Sequence, residues 1–226
     1  MMETVQQILK RLKSLANPAN IAGMQRFGIK SAKMLGLSRP QLRQIAKETP
    51  KNHQLALDLW QTEYLEARVL GSLIDEPDKV TEKQIDAWVA DFDNWDICDQ
   101  CCTNLFRKLP FAFKKVNEWG NRSEEYVKRA GFALLAFMAV HAKKESDETF
   151  IKFFPLIKKA STDERNFVRK AVNWALRNIG KKNLKLNKAA IKLAKEIVQM
   201  DNRTAKWIAK DAIRELTSIA VIARLN

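Results

Sequence analysis

The sequence is short of the residues that punctuate β-structure. Seven glycines and six prolines in 226 residues leave little material for the tight turns of a sandwich or barrel. No stretch alternates apolar and polar side chains in the manner of a half-buried strand. Cysteine is scarcer still, and Cys98, Cys101 and Cys102 crowd into one short run. An odd, clustered set excludes a disulfide framework and fits a reducing cytoplasm. A structural zinc site needs four ligands. Only His53 and His141 remain to complete one, far away in sequence and without paired spacing, so no metal is expected. Neither histidine has a visible Ser or Cys triad partner, and both read as structural. The default for the cysteines is burial in a helix. No run of about 18 apolar residues occurs, which argues against a membrane span. Residues 1–16 lack the apolar core and cleavage pattern of a signal peptide, so a cytoplasmic protein is expected.

Acidic residues are outnumbered. Forty Lys and Arg against 26 Asp and Glu leave a formal net charge of +14. An excess that large points to a polyanionic partner, because each phosphate contact releases condensed counterions. Nucleic acid is the leading candidate, with a membrane surface as the competing one.

What is present in quantity is helical periodicity. Val5, Ile8, Leu9, Leu12 and Leu15 follow the i, i+3, i+4, i+7 pattern. So do Ile85, Trp88, Val89 and Phe92, then Ala190, Leu193, Ile197 and Val198, and finally Ala209, Ala212, Ile213, Leu216 and Ile219. Turn and cap chemistry separates the segments, at Asn17-Pro18, Ser38 to Pro40, Asn94, Pro110 and Gly180 to Asn183 among others. Thr81 with Gln84, and Ser161 or Thr162 before Asp163-Glu164, read as helix starts. The spacing predicts about ten to twelve short helices in an all-α chain, residues 1–226 forming a single domain.

A weak internal repeat suggests how they are arranged. Val127-Lys128-Arg129-Ala130 resembles Val168-Arg169-Lys170-Ala171 at a spacing of 41 residues, and Glu66 to Ile74 is an earlier partial copy. That period suits stacked antiparallel helix pairs, a HEAT or armadillo-like repeat solenoid. Arg68, Arg129 and Lys170 would then recur as a stripe lining a basic concave groove.

Three runs carry candidate chemistry. If Asn94 caps a helix, Trp95 and Asp99 stand i, i+4 on one face. An indole beside a carboxylate suits a cationic ligand, although the spacing alone favours the plainer reading, with Trp95 as core and Asp99 as a first-turn acid. The second run is Tyr126 to Phe132, around Arg129. The third is Phe167 to Arg177, where Trp174 and Arg177 share a face. Trp174 is either packed in the core or offered to a nucleotide.

Taken together, in this order and spacing, the runs resemble the HEAT-like-repeat family of bacterial DNA alkylation repair enzymes, the AlkD-type DNA glycosylases. The matching pieces are Trp95-Asp96-x-x-Asp99, the Lys-Arg-Ala around Arg129, and Arg169-Lys170-Ala171-x-x-Trp174-Ala175-Leu176-Arg177. Near the N-terminus Met24-Gln25-Arg26-Phe27 and Gly36-Leu37-Ser38-Arg39-Pro40-x-x-Arg43 fit the same family. The resemblance implies that Asp99 is the catalytic carboxylate and that Trp95, Trp174 and Phe27 line the lesion. It implies phosphate-binding roles for Arg129, Lys170, Arg177 and Arg43. The implied activity is excision of 3- or 7-alkylated, positively charged purines from duplex DNA by a monofunctional enzyme, without a cofactor. A groove that must admit a long duplex suits a monomer. Where the family often has tyrosine this chain has Phe27, which keeps the ring and loses the hydroxyl. Two other functions fit the sequence. One is a non-catalytic HEAT-like module that binds damaged or branched DNA; the other is a helical-repeat scaffold for an acidic protein segment.

Overall fold

A computed structural model describes residues 3–225, and all of its regular structure is helical apart from an isolated bridge between Lys33 and Tyr64. The helices are α1 (Val5–Ser14), α2 (Pro18–Arg26), α3 (Arg39–Glu48), α4 (His53–Gln61), α5 (Leu65–Ile74), α6 (Glu82–Ala90) and α7 (Trp95–Asn104). There follow α8 (Ala112–Gly120), α9 (Glu125–His141), α10 (Asp147–Ile151), α11 (Phe154–Ala160), α12 (Asn166–Gly180), α13 (Leu184–Ile197), α14 (Arg203–Leu216) and α15 (Ile219–Leu225). The number exceeds the ten to twelve that periodicity predicts. The surplus includes α10, α11 and α15, which are too short to repeat an apolar pattern. Among the described residues no helix is long and apolar enough to cross a membrane.

The chain divides into two compact units, the first ending at Pro110 and the second beginning at Phe111. In the first unit α5 is the central element, packed by α3, α4 and α7. Its sequence, Leu65 to Ile74, is apolar on almost every side and is buried nearly throughout. Trp60 and Trp88 stack beside it with centroids 4.0 Å apart and planes 3° from parallel. Glu66 is a charged residue inside this core. Its carboxylate accepts hydrogen bonds from the main-chain N–H groups of Leu35 (2.9 Å) and Gly36 (2.7 Å), which is what a buried carboxylate requires. Gly36 has φ +78°, and a Cβ there would lie 2.2 Å from the Asn17 carbonyl oxygen. Only glycine fits that turn. Together Glu66 and Gly36 hold the link between α2 and α3.

In the second unit α9 lies between α8 and α12. Residues 132–136 of α9 are wholly buried, because a helix covered on two sides must be apolar on both. Gly131 permits the close approach of α8, since a Cβ there would stand 2.6 Å from the Gly120 amide nitrogen. Beyond α12 the chain continues with α13 packed on α14, and α14 also packs on α12.

The cap expectations hold at Thr81 and Asn94, whose side chains accept from Gln84 N and from Asp96 N and Ile97 N. The expectation at Ser161 and Thr162 does not. Those residues end α11, and α12 begins only at Asn166. Asp163 is diverted from capping by Arg165, whose Nε donates to it at 2.9 Å, and by Lys128 at 3.1 Å.

Candidate nucleic-acid interface

The first group of site residues is built around the start of α7. Asn94 is buried, and its side-chain oxygen accepts from Asp96 N at 3.0 Å and Ile97 N at 3.2 Å. This satisfies two of the donors a helix start leaves open and sets the rotation of the helix. Trp95 and Asp99 then stand one turn apart, both half-buried, while Cys98, Cys101 and Cys102 fill the core side. Burial raises the Cys101 and Cys102 thiols well above their ordinary range, so neither is a thiolate nucleophile.

Trp95 is held from outside its own helix. Its indole Nε1 donates to the carbonyl oxygen of Phe27 at 2.9 Å. The main chain of Phe27 thus makes a bond for which no hydroxyl is needed, and its ring, 76% exposed, extends into solvent. Phe27, Trp95, Met24, Ile29, Gly36 and Arg39 line an open cleft of about 570 Å³.

Arg39, the first residue of α3, forms an ion pair with Asp96. Burial pushes its guanidinium down to about 10, and its Nη1 is shielded without a partner. Arg43 stands one turn further along α3 and is exposed, free of the covering that withdraws Arg39.

The second group lies on α9 and α12. Arg129 is only 6% exposed; its Nη1 donates to the Phe167 carbonyl at 2.8 Å, tying α9 to the first turn of α12. Trp174 packs edge-on against Phe137, centroids 4.8 Å apart at 78°, and keeps part of its surface open. Lys170 is exposed. Arg177 differs from the rest: Glu215 and, at 3.4 Å, Asp211 hold its guanidinium, and Glu215 also binds Lys181 at 2.6 Å. Its charge is balanced inside the fold, which weakens any pull on a phosphate.

Of the three cations expected as a repeating stripe, Lys170 alone is exposed. Arg68 lies over the Trp60 ring, 5.0 Å from its centroid, with Asp91 at 3.7 Å. Phe27, Arg43, Trp95 and Asp99 belong to the first unit; Arg129, Lys170, Trp174 and Arg177 belong to the second. Sequence reasoning passed over Arg39 and Asp96 as a pair, and the carboxylates Asp211 and Glu215. None of these pairings follows a local spacing.

A family model of DNA alkylation repair enzymes matches residues 8–216, a span that runs through both units. An uncharacterized protein of Listeria innocua serovar 6a is 25% identical over 210 residues, covering 85% of this chain and 93% of its own. Among solved structures, a member of a family related to the HEAT-like repeat DNA glycosylases, with affinity for branched DNA structures, superimposes with a TM-score of 0.78. It is 18% identical and covers 99% of this chain and 96% of its own. The likeness shows a HEAT-like repeat fold. A designed armadillo repeat protein bound to a (KR)4 peptide reaches a TM-score of 0.37 at 15% identity, over 81% of this chain and 83% of its own.

Proposed function

Because the chain belongs to the family of DNA alkylation repair enzymes, we propose that it is a monofunctional DNA glycosylase that releases 3- or 7-alkylated purines from duplex DNA. The observation that carries this reading is the start of α7. A cap sets the helix rotation there, a main-chain bond fixes the Trp95 indole, and the Asp99 carboxylate stands one turn on. An alkylated purine is already cationic. When its N-glycosidic bond breaks, the electron pair returns to the purine and neutralises it, leaving oxocarbenium character on the sugar. A fixed carboxylate at Asp99 stabilises that developing charge. Water then adds at C1′ and gives up a proton, with Asp99 as acceptor, leaving a neutral free base and an abasic site. The indole of Trp95 offers its electron-rich face to the cationic nucleotide, worth ~0.5 to 2 kcal/mol when water is excluded. Trp174, in the second unit, also keeps part of its surface open. Arg129, Lys170 and Arg43 serve the backbone, and Arg177 contributes less because of its carboxylates. The enzyme acts as a cytoplasmic monomer and needs no cofactor.

The test is free-base release from methylated duplex DNA by the wild type and by Asp99→Asn. Loss of one preorganised electrostatic group predicts a fall of about 10²- to 10³-fold in release, with duplex affinity retained. Equal release by the two proteins would remove Asp99 from the mechanism. A second reading is supported by the structural relative with affinity for branched DNA: a DNA-binding protein without excision. Tight binding by the wild type with no base released favours it.

A further inference from the structure

The C-terminal helix pair carries a feature that excision does not use. On α14 the exposed residues form one stripe, Arg203, Trp207, Lys210 and Arg214, at i, i+4, i+7 and i+11, with no carboxylate in it. Trp207 is 40% exposed. The Arg169 guanidinium, from α12, lies over its ring at 5.2 Å from the centroid. Arg169 Nε is shielded and unpartnered, and its Nη2 donates to Asn166 Oδ1 at 3.2 Å. Asp211, the acid nearest to Trp207 along α14, is taken up by Asn173, Arg177 and Arg214.

The buried faces of α12 and α14 can be matched residue for residue: Val168 with Ala205, Ala171 with Ile208, Val172 with Ala209, Ala175 with Ala212, Ile179 with Leu216. In that register Trp207 falls at the position of Lys170, and Asp211 at that of Trp174. The indole therefore replaces a cation on the same exposed face, one repeat further along. A core residue would not be placed there, and a purely electrostatic phosphate contact would not need a ring.

We propose that Arg169 and Trp207 form a binding subsite for an unpaired nucleotide of DNA, such as a single-stranded arm beside a duplex. Bases inside a duplex are stacked on both faces, so only an unpaired or terminal base offers a face to an indole. With one side of the ring covered by the guanidinium, the opposite side receives the base. The cation–π contact holds the Arg169 guanidinium over the ring, and its terminal N–H groups serve the phosphate of that nucleotide. Arg203, Lys210 and Lys170 supply the surrounding positive field. The inference rests on the DNA-binding part of the proposed function and is independent of excision.

The test measures the affinity of the full-length chain for a blunt duplex and for the same duplex bearing a single-stranded arm, using fluorescence anisotropy. The wild type prefers the armed DNA. Stacking of one base predicts that Trp207→Ala lowers affinity for the armed DNA by roughly tenfold and abolishes the preference. Trp207→Phe, which keeps a ring, retains most of it. A preference that survives Trp207→Ala overturns the subsite, as does an equal loss on both DNAs, which would make Trp207 a duplex contact. Base release from methylated duplex DNA, measured with the same protein preparations, keeps the two readings apart. A wild type that prefers armed DNA but releases no base refutes excision and leaves the subsite standing. A wild type that binds neither DNA refutes both.

Discussion

Arg129 offers a test in which folding and binding separate. Its side chain is almost fully enclosed, and its Nη1 donates to the Phe167 carbonyl at 2.8 Å. Arg129→Ala removes a charge-assisted bond worth about 1.5 to 3 kcal/mol and leaves a main-chain acceptor without that donor. In a chain of this length each kcal/mol shifts the melting temperature by about 2 to 4 °C, so a fall of roughly 3 to 12 °C is expected by calorimetry. The phosphate role makes a different demand. Loss of one phosphate contact lowers the slope of log affinity against log salt by about 0.9, whatever the sequence of the duplex. Arg129→Lys keeps the charge but not the planar fork; it restores the salt slope and only part of the melting temperature. If Arg129→Ala melts with the wild type, the buried bond to α12 does not support the fold as argued. If its salt slope is unchanged while its melting temperature falls, Arg129 is a structural strut and the phosphate assignment is wrong.

Two further predictions concern stability. Gly131→Ala drives a methyl group to 2.6 Å from the Gly120 nitrogen and 2.9 Å from its Cα; backbone cannot yield as a flexible side chain does, so a loss of about 1 to 3 kcal/mol is expected. Gly23→Ala is the contrasting variant, since a Cβ there meets nothing within 4 Å inside α2, and a gain of ~0.5 to 1 kcal/mol is expected from helix propensity. Thermal melts in which both variants move the same way would contradict the packing argument. Burial acts to raise the Asp163 pKa, but the bonds from Arg165 and Lys128 outweigh it and hold the carboxyl at about 2, below its ordinary 3.8. A depressed carboxylate stabilises the fold above its unfolded pKa, and the contribution is lost as pH falls through the folded one. Asp163→Asn should therefore be less stable by roughly 2 kcal/mol at neutral pH. The gap should close between about pH 4 and pH 2; a gap constant across that range in denaturant titrations would refute the linkage.

Local chemistry made part of the candidate site legible before any fold was known. Asn94 before Trp95 announced a helix start, and the start placed Trp95 and Asp99 on one face, because a helix is set by bonds that span four residues. The same short-range rule failed at Ser161 and Thr162, where Asp163 found its partners in Arg165 and Lys128 instead of in a cap. Phe27 was legible as a ring without a hydroxyl. That its carbonyl fixes the Trp95 indole was not, since the two lie 68 positions apart.

What the sequence by itself determined is therefore the all-helical character, the capped start of α7 and the positive charge. These depend on residue type, on periodicity over one or two turns, and on simple summation. Tertiary structure alone decided which charges face solvent. Arg177 is met by Asp211 and Glu215, Arg68 lies on Trp60, and Arg129 is buried against α12, whereas Lys170 stays open. The sequence distinguishes none of these cations from the others. A guanidinium's partner is chosen by which helix packs beside it, and the register between neighbouring helices comes from apolar faces meeting across the core.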